Sequence, residues 1–185
     1  MATLPIVRMG NPVLRTPAIP LSPKALAAPA MQQLIDDMVE TMHDAEGVGL
    51  AAPQIGLALR LFVYQADDEE VPENGIPLCV AINPTIEPVA GEPVVDWEGC
   101  LSIPDLRGLV PRHAALRLRA MDRHGVGFER ALEGFEARIV QHELDHLDGV
   151  LFLDRMPELS SLAFLDEWQG FLRGPADFDA RDKAE

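Results

Sequence analysis

The sequence predicts an α+β fold, and three observations carry that reading. Stretches of β-type sequence follow one another without regular helical alternation, which argues against a doubly wound parallel sheet. An amphipathic helical stretch lies in the first quarter of the chain. A second helical stretch late in the chain carries two adjoining apolar stripes, the pattern of a helix buried on most of its surface.

Taken in order, Ser22-Pro23 reads as the N-cap and first residue of a short helix. Pro29 interrupts it, and a stronger helix is expected over 30–45, with a stripe of Met31, Leu34/Ile35, Met38 and Met42. Those methionines read as core filler. Gly47 is expected to serve as that helix's C-cap. Strands follow over 60–65, 78–82 and 85–89, with an exposed acidic loop at 67–75. Further strands are expected over 94–98, 108–110, 116–121 and 128–132, the last two joined by a turn at His124-Gly125. The late helix spans 132–147, with Phe135, Ile139, His142 and His146 on one stripe and Val140, Leu144 and Leu147 on the next. Gly149 stands where a C-cap belongs. The segment 150–153 reads as a final strand and 158–172 as a final helix.

Composition bounds the function. At 185 residues the chain fits a single catalytic domain, 1–185, whose last stretch, about 174–185, reads as a flexible acidic tail. Hydrophobic content of 48% and charged content of 24% are ordinary for a globular protein. A net charge of −15 argues against direct nucleic-acid binding, which needs a basic footprint. No apolar run approaches the roughly 18–20 residues that span a bilayer. The first residues lack the basic-then-apolar pattern of a signal peptide, and two cysteines do not make a disulfide framework. A cytoplasmic setting is expected.

The chemistry concentrates in His142-Glu143-Leu144-Asp145-His146. Two imidazoles four residues apart stack on one face of a helix, close enough to hold one metal ion. The Glu between them lies near the metal's open side, where it can work as a base. A hydrolytic metal site needs a third protein ligand. No His follows His146; Glu158 and Glu167 lie downstream, and Cys100 lies upstream in Glu98-Gly99-Cys100-Leu101-Ser102. Gly47-Val48-Gly49 suggests a phosphate-binding loop only superficially, because the position of the third glycine is Ala52 and the segment follows a helix, not a strand.

Three segments together resemble the peptide deformylase family: Gly47-Val48-Gly49-Leu50-Ala51-Ala52-Pro53-Gln54, then Glu98-Gly99-Cys100-Leu101-Ser102, then Gln141-His142-Glu143-Leu144-Asp145-His146. They occur in the family's order and spacing. The resemblance implies antiparallel β-sheets packed around a central metal-binding helix. It implies removal of the N-terminal formyl group from the formyl-methionine of newly made polypeptides, with release of formate, by attack of a metal-activated water. Residue by residue, it makes Cys100, His142 and His146 the metal ligands and Glu143 the general acid/base. It places Gln54 (side-chain amide) and Leu101 (backbone N–H) in the oxyanion hole. It gives Gly49 to the substrate backbone, and Val48, Phe135, Ile139 and His142 to the methionine pocket, with Glu98 and Arg107 nearby. One divalent ion per chain is implied, Fe²⁺ in the cell, with Zn²⁺, Ni²⁺ or Co²⁺ able to replace it.

These roles agree with elementary chemistry. A divalent ion lowers the pKa of the water it binds. A neutral amide such as Gln offers two donors to a developing oxyanion. Reading Cys100 as a nucleophile instead would use one His and leave Glu143 and His146 idle. Reading it as a ligand uses all four residues. Cys79 lies in an apolar run and reads as packing, and His43, His113 and His124 are not expected at the metal. The expected partners are N-formylmethionyl nascent chains. The C-terminal stretch carries Asp166, Glu167, Asp177, Asp179, Asp182 and Glu185 against Arg173, Arg181 and Lys183, so any ribosome contact is expected to be weak or to use another surface.

Overall fold

Residues 2–66 and 75–173 are described by the computed structural model. Two antiparallel sheets and one central helix make up the frame, the α+β arrangement expected from the sequence. The short helix α1 (Pro23–Leu26) begins at Ser22, whose side chain accepts a hydrogen bond from the Ala25 backbone. The longer α2 (Pro29–Asp44) has Pro29 in its first turn, where the missing N–H costs nothing. Five strands follow as one sheet: β1 (Gly49–Ala51), β2 (Leu61–Ala66), β3 (Ile76–Pro88), then, after an intervening hairpin, β6 (Ala115–Met121) and β7 (Gly127–Glu133), ordered β1-β2-β3-β6-β7. The intervening hairpin is β4 (Val94–Cys100) and β5 (Ile103–Arg112). It forms a second sheet with the two-residue β8 (Ala163–Phe164).

Helix α3 (Gly134–Leu147) lies between these sheets. Its Ala137, Ile139, Val140, Leu144 and Leu147 pack with Phe62, Tyr64, Leu116, Leu118 and Leu132 into one core cluster. A second cluster joins α2 to the other face of the large sheet through Ile35, Met38, Met42, Leu50, Leu61 and Ile82. The methionine stripe of α2 thus fills core, as its spacing predicts. Gly149 terminates α3 as expected, with φ 75°, and Val150 N–H reaches back to Asp145 O at 2.8 Å. A Cβ on Gly149 would stand 2.9 Å from the Arg15 backbone, so bulk and backbone conformation both demand glycine here.

Several expected elements come out differently. Helix α2 ends with Glu46, not Gly47, in the left-handed conformation (φ 52°), while Gly47 N–H closes the turn on Met42 O. Gly47 leaves room for Leu101 instead: a Cβ there would meet the tip of the Leu101 side chain at 2.8 Å. The strands expected over 78–82 and 85–89 are one strand, β3, interrupted by a bulge at Asn83 (φ 51°). The Asn83 amide accepts from Leu21 N–H and donates to Leu21 O, which holds the bulge in place.

The segment expected as a final strand, 150–153, instead enters a short helix, α4 (Phe152–Arg155), capped by Asp154 accepting from Leu151 N–H. Its apolar run fits burial in either geometry, and the sharp reversal at Gly149 decides for the helix. The expected final helix over 158–172 is broken into a 3₁₀ turn, β8, a short α5 (Leu165–Glu167) and a wide turn at Trp168–Leu172. The free edge of β5 explains this, because Ala163 and Phe164 pair with Arg107 and Leu106. Trp168 then packs edge-on against Trp97. Most of the expected acidic loop (67–74) and the expected tail (174–185) lie outside the described residues.

Candidate metal centre

Two elements supply the candidate ligands. Helix α3 supplies His142 and His146, one turn apart, with ring centroids 5.0 Å from each other. Strand β4 supplies Cys100 at its last residue, where the β4–β5 register slips between Glu98 and Cys100. Such an irregularity re-aims a side chain, and here the thiol ends 3.2 Å from His146 Nε2. The ligand atoms of Cys100, His142 and His146 all lie within 4.8 Å of one another. In a tetrahedral site with bonds of about 2.0–2.3 Å, neighbouring ligands stand roughly 3.4 Å apart, so the set fits one ion with small adjustments.

The electrostatics fit a cation as well. Burial alone would lower the His142 pKa, yet the acceptors around the ring, Cys100 and Glu98, outweigh it and raise the value. The pocket therefore favours positive charge between thiol and imidazole. Burial, then the charge of His142, pushes His146 down and keeps it a neutral ring, the form that ligates. His142 Nδ1 lies 2.9 Å from Glu98 Oε2. A carboxylate only accepts, so Nδ1 carries the proton and Nε2 is left as the donor to a metal.

Glu143 sits between the two histidines in sequence. It is buried, and its Oε2 has no hydrogen-bond partner. Burial pushes its carboxyl up to about 7, and a cation bound beside it would pull that value back down. Its neighbour is Gly49 on β1: a Cβ there would stand 2.8 Å from Glu143 Cδ and 2.9 Å from Cγ. Gly49 is thus the space in which the Glu143 carboxylate rests.

Gln54 lies in the 3₁₀ turn after β1 (Ala52–Ile55) and is buried. Its Oε1 accepts from Ala51 N–H at 2.8 Å, which turns Nε2 toward Cys100 Sγ, 3.7 Å away. Leu101 follows Cys100 in the turn between β4 and β5. An N-terminal strap ties the two turns together: Val7 N–H bonds Gln54 O and Met9 N–H bonds Ser102 O, each at 2.8 Å. Cys100, His142, His146, Glu143, Gln54, Leu101 and Gly49 are therefore gathered in one place.

The residues expected around the methionine pocket divide. Val48 packs on the cluster containing Ile139, which is buried one turn before His142. Phe135 does not join them; it is 56% exposed in the first turn of α3, so the helical stripe that contains it reaches the surface there. Glu98 is not free to face a ligand. Its Oε1 accepts from Arg112 Nε and Arg138 Nη1, and its Oε2 from Arg112 Nη2 and His142 Nδ1. Arg107 lies beside Gly99, whose side would be filled by its guanidinium, and stacks over Trp168 at 5.9 Å.

Sequence reasoning missed the ion network behind the ligands. Arg112 bridges Glu98 and Asp145, and Arg155 also holds Asp145. The available signal was charge at Arg138 and Asp145 on a helix whose surroundings are apolar, since buried charges must be paired. Burial alone would raise the Glu98 carboxyl, but the Arg112 fork and then His142 overcome it and hold the group well below the usual carboxylate range. A depressed folded-state value stabilises the fold above the unfolded carboxylate range and loses that contribution as pH falls. Thermal melts are therefore expected to fall steeply below about pH 4.5. Glu98→Gln should flatten that limb, and an unchanged slope would contradict the assignment.

A helix bearing His-Glu-x-x-His, wrapped by antiparallel sheets and faced by a cysteine thiol, defines an α+β protein with a candidate Cys/His/His metal centre. The polypeptide deformylase family model matches residues 3–161. Peptide deformylase 2 of Bordetella bronchiseptica is 45% identical over 163 residues, 87% of this chain and 92% of the relative. The crystal structure of peptide deformylase from Thermus thermophilus is 45% identical, with a TM-score of 0.74 over 84% of this chain and 86% of that one. A class I type b peptide deformylase from Acinetobacter baumannii, crystallised with Met-Ala-Ser bound, has a TM-score of 0.78 at 36% identity, over 84% and 99% of the two chains. The chain belongs to the polypeptide deformylase family.

Proposed function

We propose that this enzyme removes the formyl group from N-formylmethionyl polypeptides by hydrolysis, with Cys100, His142 and His146 holding one divalent ion. The observation that carries the reading is the convergence of that ligand set beside an unpaired, buried Glu143. When bound, the ion supplies Lewis acidity, acidifying a water and polarising the formyl carbonyl.

The chain's own residues do the rest. Glu143 accepts a proton from the attacking water and delivers it to the departing amine. Gln54 Nε2–H, oriented by the Ala51 bond, and the Leu101 backbone N–H stabilise the oxyanion that forms on the formyl oxygen. Glu98 fixes the tautomer of His142. Burial of Gln54, Glu143 and His146 excludes water, so each of these interactions acts at low dielectric. Val48, Ile139 and His142 line the methionine side chain, and the Gly49 backbone binds the peptide. Phe135, exposed in the first turn of α3, is left out of that surface, and Arg107, stacked on Trp168, acts on the peptide beyond the methionine.

The Met-Ala-Ser seen in the Acinetobacter relative supports a peptide ligand. A thiolate with two imidazoles suits Fe²⁺, Zn²⁺, Ni²⁺ and Co²⁺ alike, and Fe²⁺ is the ion proposed in the cell. No helix among the described residues is long and apolar enough to cross a membrane. The proposed setting is the cytoplasm, where formylated chains emerge, with weak ribosome contact at most because of the acidic tail.

The test is an assay for formate on formyl-Met-Ala-Ser beside unformylated Met-Ala-Ser. Formate release from the first, with the second left intact, is the expected outcome. Cleavage of internal peptide bonds in either substrate would favour a general metallopeptidase instead.

A further inference from the structure

The contacts behind His142 continue past Glu98 to a residue that none of the three motifs contains. Arg138 lies one helical turn before His142 on α3, so both side chains leave the same face. Both reach the same carboxylate on β4. Arg138 Nη1 donates to Glu98 Oε1 at 2.8 Å, and His142 Nδ1 lies 2.9 Å from Glu98 Oε2. Arg138 is itself pinned. Nη1 also reaches Val110 O on β5 at 2.9 Å, Nη2 reaches Val94 O on β4 at 2.8 Å, and the residue is 7% exposed.

Arg112 holds Glu98 as well, but it is shared. Its Nη1 lies 2.6 Å from Asp145 Oδ2, so its position answers to two carboxylates. Among the described residues, Glu98 is the single carboxylate that Arg138 bonds, and its other two acceptors are backbone carbonyls. Arg112 grips both oxygens, Nε on Oε1 at 2.8 Å and Nη2 on Oε2 at 2.9 Å, and Arg138 adds a further charge-assisted bond on Oε1 from a guanidinium tied to two backbone carbonyls, so the carboxylate cannot follow Arg112 toward Asp145 without breaking that bond. Its Oε2 then stays aimed at the imidazole. Each carboxylate of the network is paired twice: Glu98 with Arg112 and Arg138, Asp145 with Arg112 and Arg155.

We propose that Arg138 is a positioning residue for the metal centre, acting through Glu98 to hold the His142 ring in its ligating orientation. The proposal rests on the metal-binding reading of the Cys100/His142/His146 group. It assigns to this arginine a role in metal affinity although it touches no ligand atom.

The experiment measures Zn²⁺ affinity by chelator competition in the wild type, Arg138→Leu, Glu98→Gln and the double variant. Glu98→Gln is expected to weaken binding by at least about tenfold, the usual effect of losing an outer partner of a metal ligand, and Arg138→Leu, which acts through that carboxylate, by up to the same factor. The double variant should bind no more weakly than Glu98→Gln, because the arginine acts through that carboxylate. In the Zn²⁺ form, the His142 Nδ1–H proton resonance should be sharp in the wild type and broadened or lost in Arg138→Leu. Wild-type affinity in a folded Arg138→Leu variant would overturn the proposal, as would losses that multiply in the double variant. Should Arg138→Leu fail to fold, Arg138→Lys serves in the same cycle. An ammonium cannot reproduce the fork to one carboxylate and two carbonyls, so a smaller loss is expected, again absent in the Glu98→Gln background. None of these readouts involves substrate, so absence of formate release would count against the formyl reading alone.

Discussion

Glu143→Ala is expected to lower kcat on a formyl-methionyl tripeptide by about 10²–10⁴-fold, the share that a positioned acid/base supplies. Metal content should not change. The carboxylate is not among the three groups whose ligand atoms converge, and its Oε2 has no hydrogen-bond partner to lose. Stability should hold or rise, because removing an unpaired buried carboxyl relieves its desolvation. Glu143→Gln keeps the shape and cannot carry the proton, so it should lose nearly as much. The expected pattern is thus a large loss in turnover, retained Zn²⁺ and an unchanged or higher Tm. Turnover within tenfold of the wild type would remove Glu143 from the chemistry. Loss of metal together with turnover would make it a ligand instead.

The local parts of the site are readable from the sequence, and the tertiary parts are not. His142 and His146 follow from helical spacing alone, and a glycine after the helix predicts its end at Gly149. The place of Cys100 depends on a register slip between β4 and β5, which no local pattern announces. The motif around Glu98 suggests a place near the ligand pocket. Its true surroundings are set by Arg112 and Arg138, 14 and 40 residues away. Phe135 continues an apolar stripe, which predicts burial, but periodicity does not say where a helix emerges from under its sheet. The same holds for the C-terminal segment. Its helical pattern gives way to an unpaired strand edge on β5 and to Trp97, both distant in sequence. Local propensity loses in each case to a partner that only the fold supplies.

Gly49→Ala should separate two roles that the fold assigns to one residue. If Gly49 served only to bind the peptide backbone, alanine would be tolerated, because it keeps the same N–H and C=O. The backbone there is not in the left-handed region, so alanine brings no conformational strain and slightly restricts the unfolded chain. The space beside it, however, belongs to Glu143. An added methyl would stand 2.8 Å from Glu143 Cδ and 2.9 Å from Cγ, inside van der Waals contact for the whole carboxyl end of the side chain. The carboxylate must move by roughly an ångström, and a displacement of that size at a reacting group costs on the order of 10²-fold in rate. The expected result is therefore a kcat about two orders of magnitude lower, with Tm and Zn²⁺ affinity close to wild type. Combining it with Glu143→Ala should add almost nothing, because the methyl then enters the space that the missing carboxylate leaves. A Gly49→Ala variant that works at the wild-type rate would show that Glu143 can act from a second position. A multiplicative loss in the double variant would place the effect of the methyl on the peptide rather than on the base.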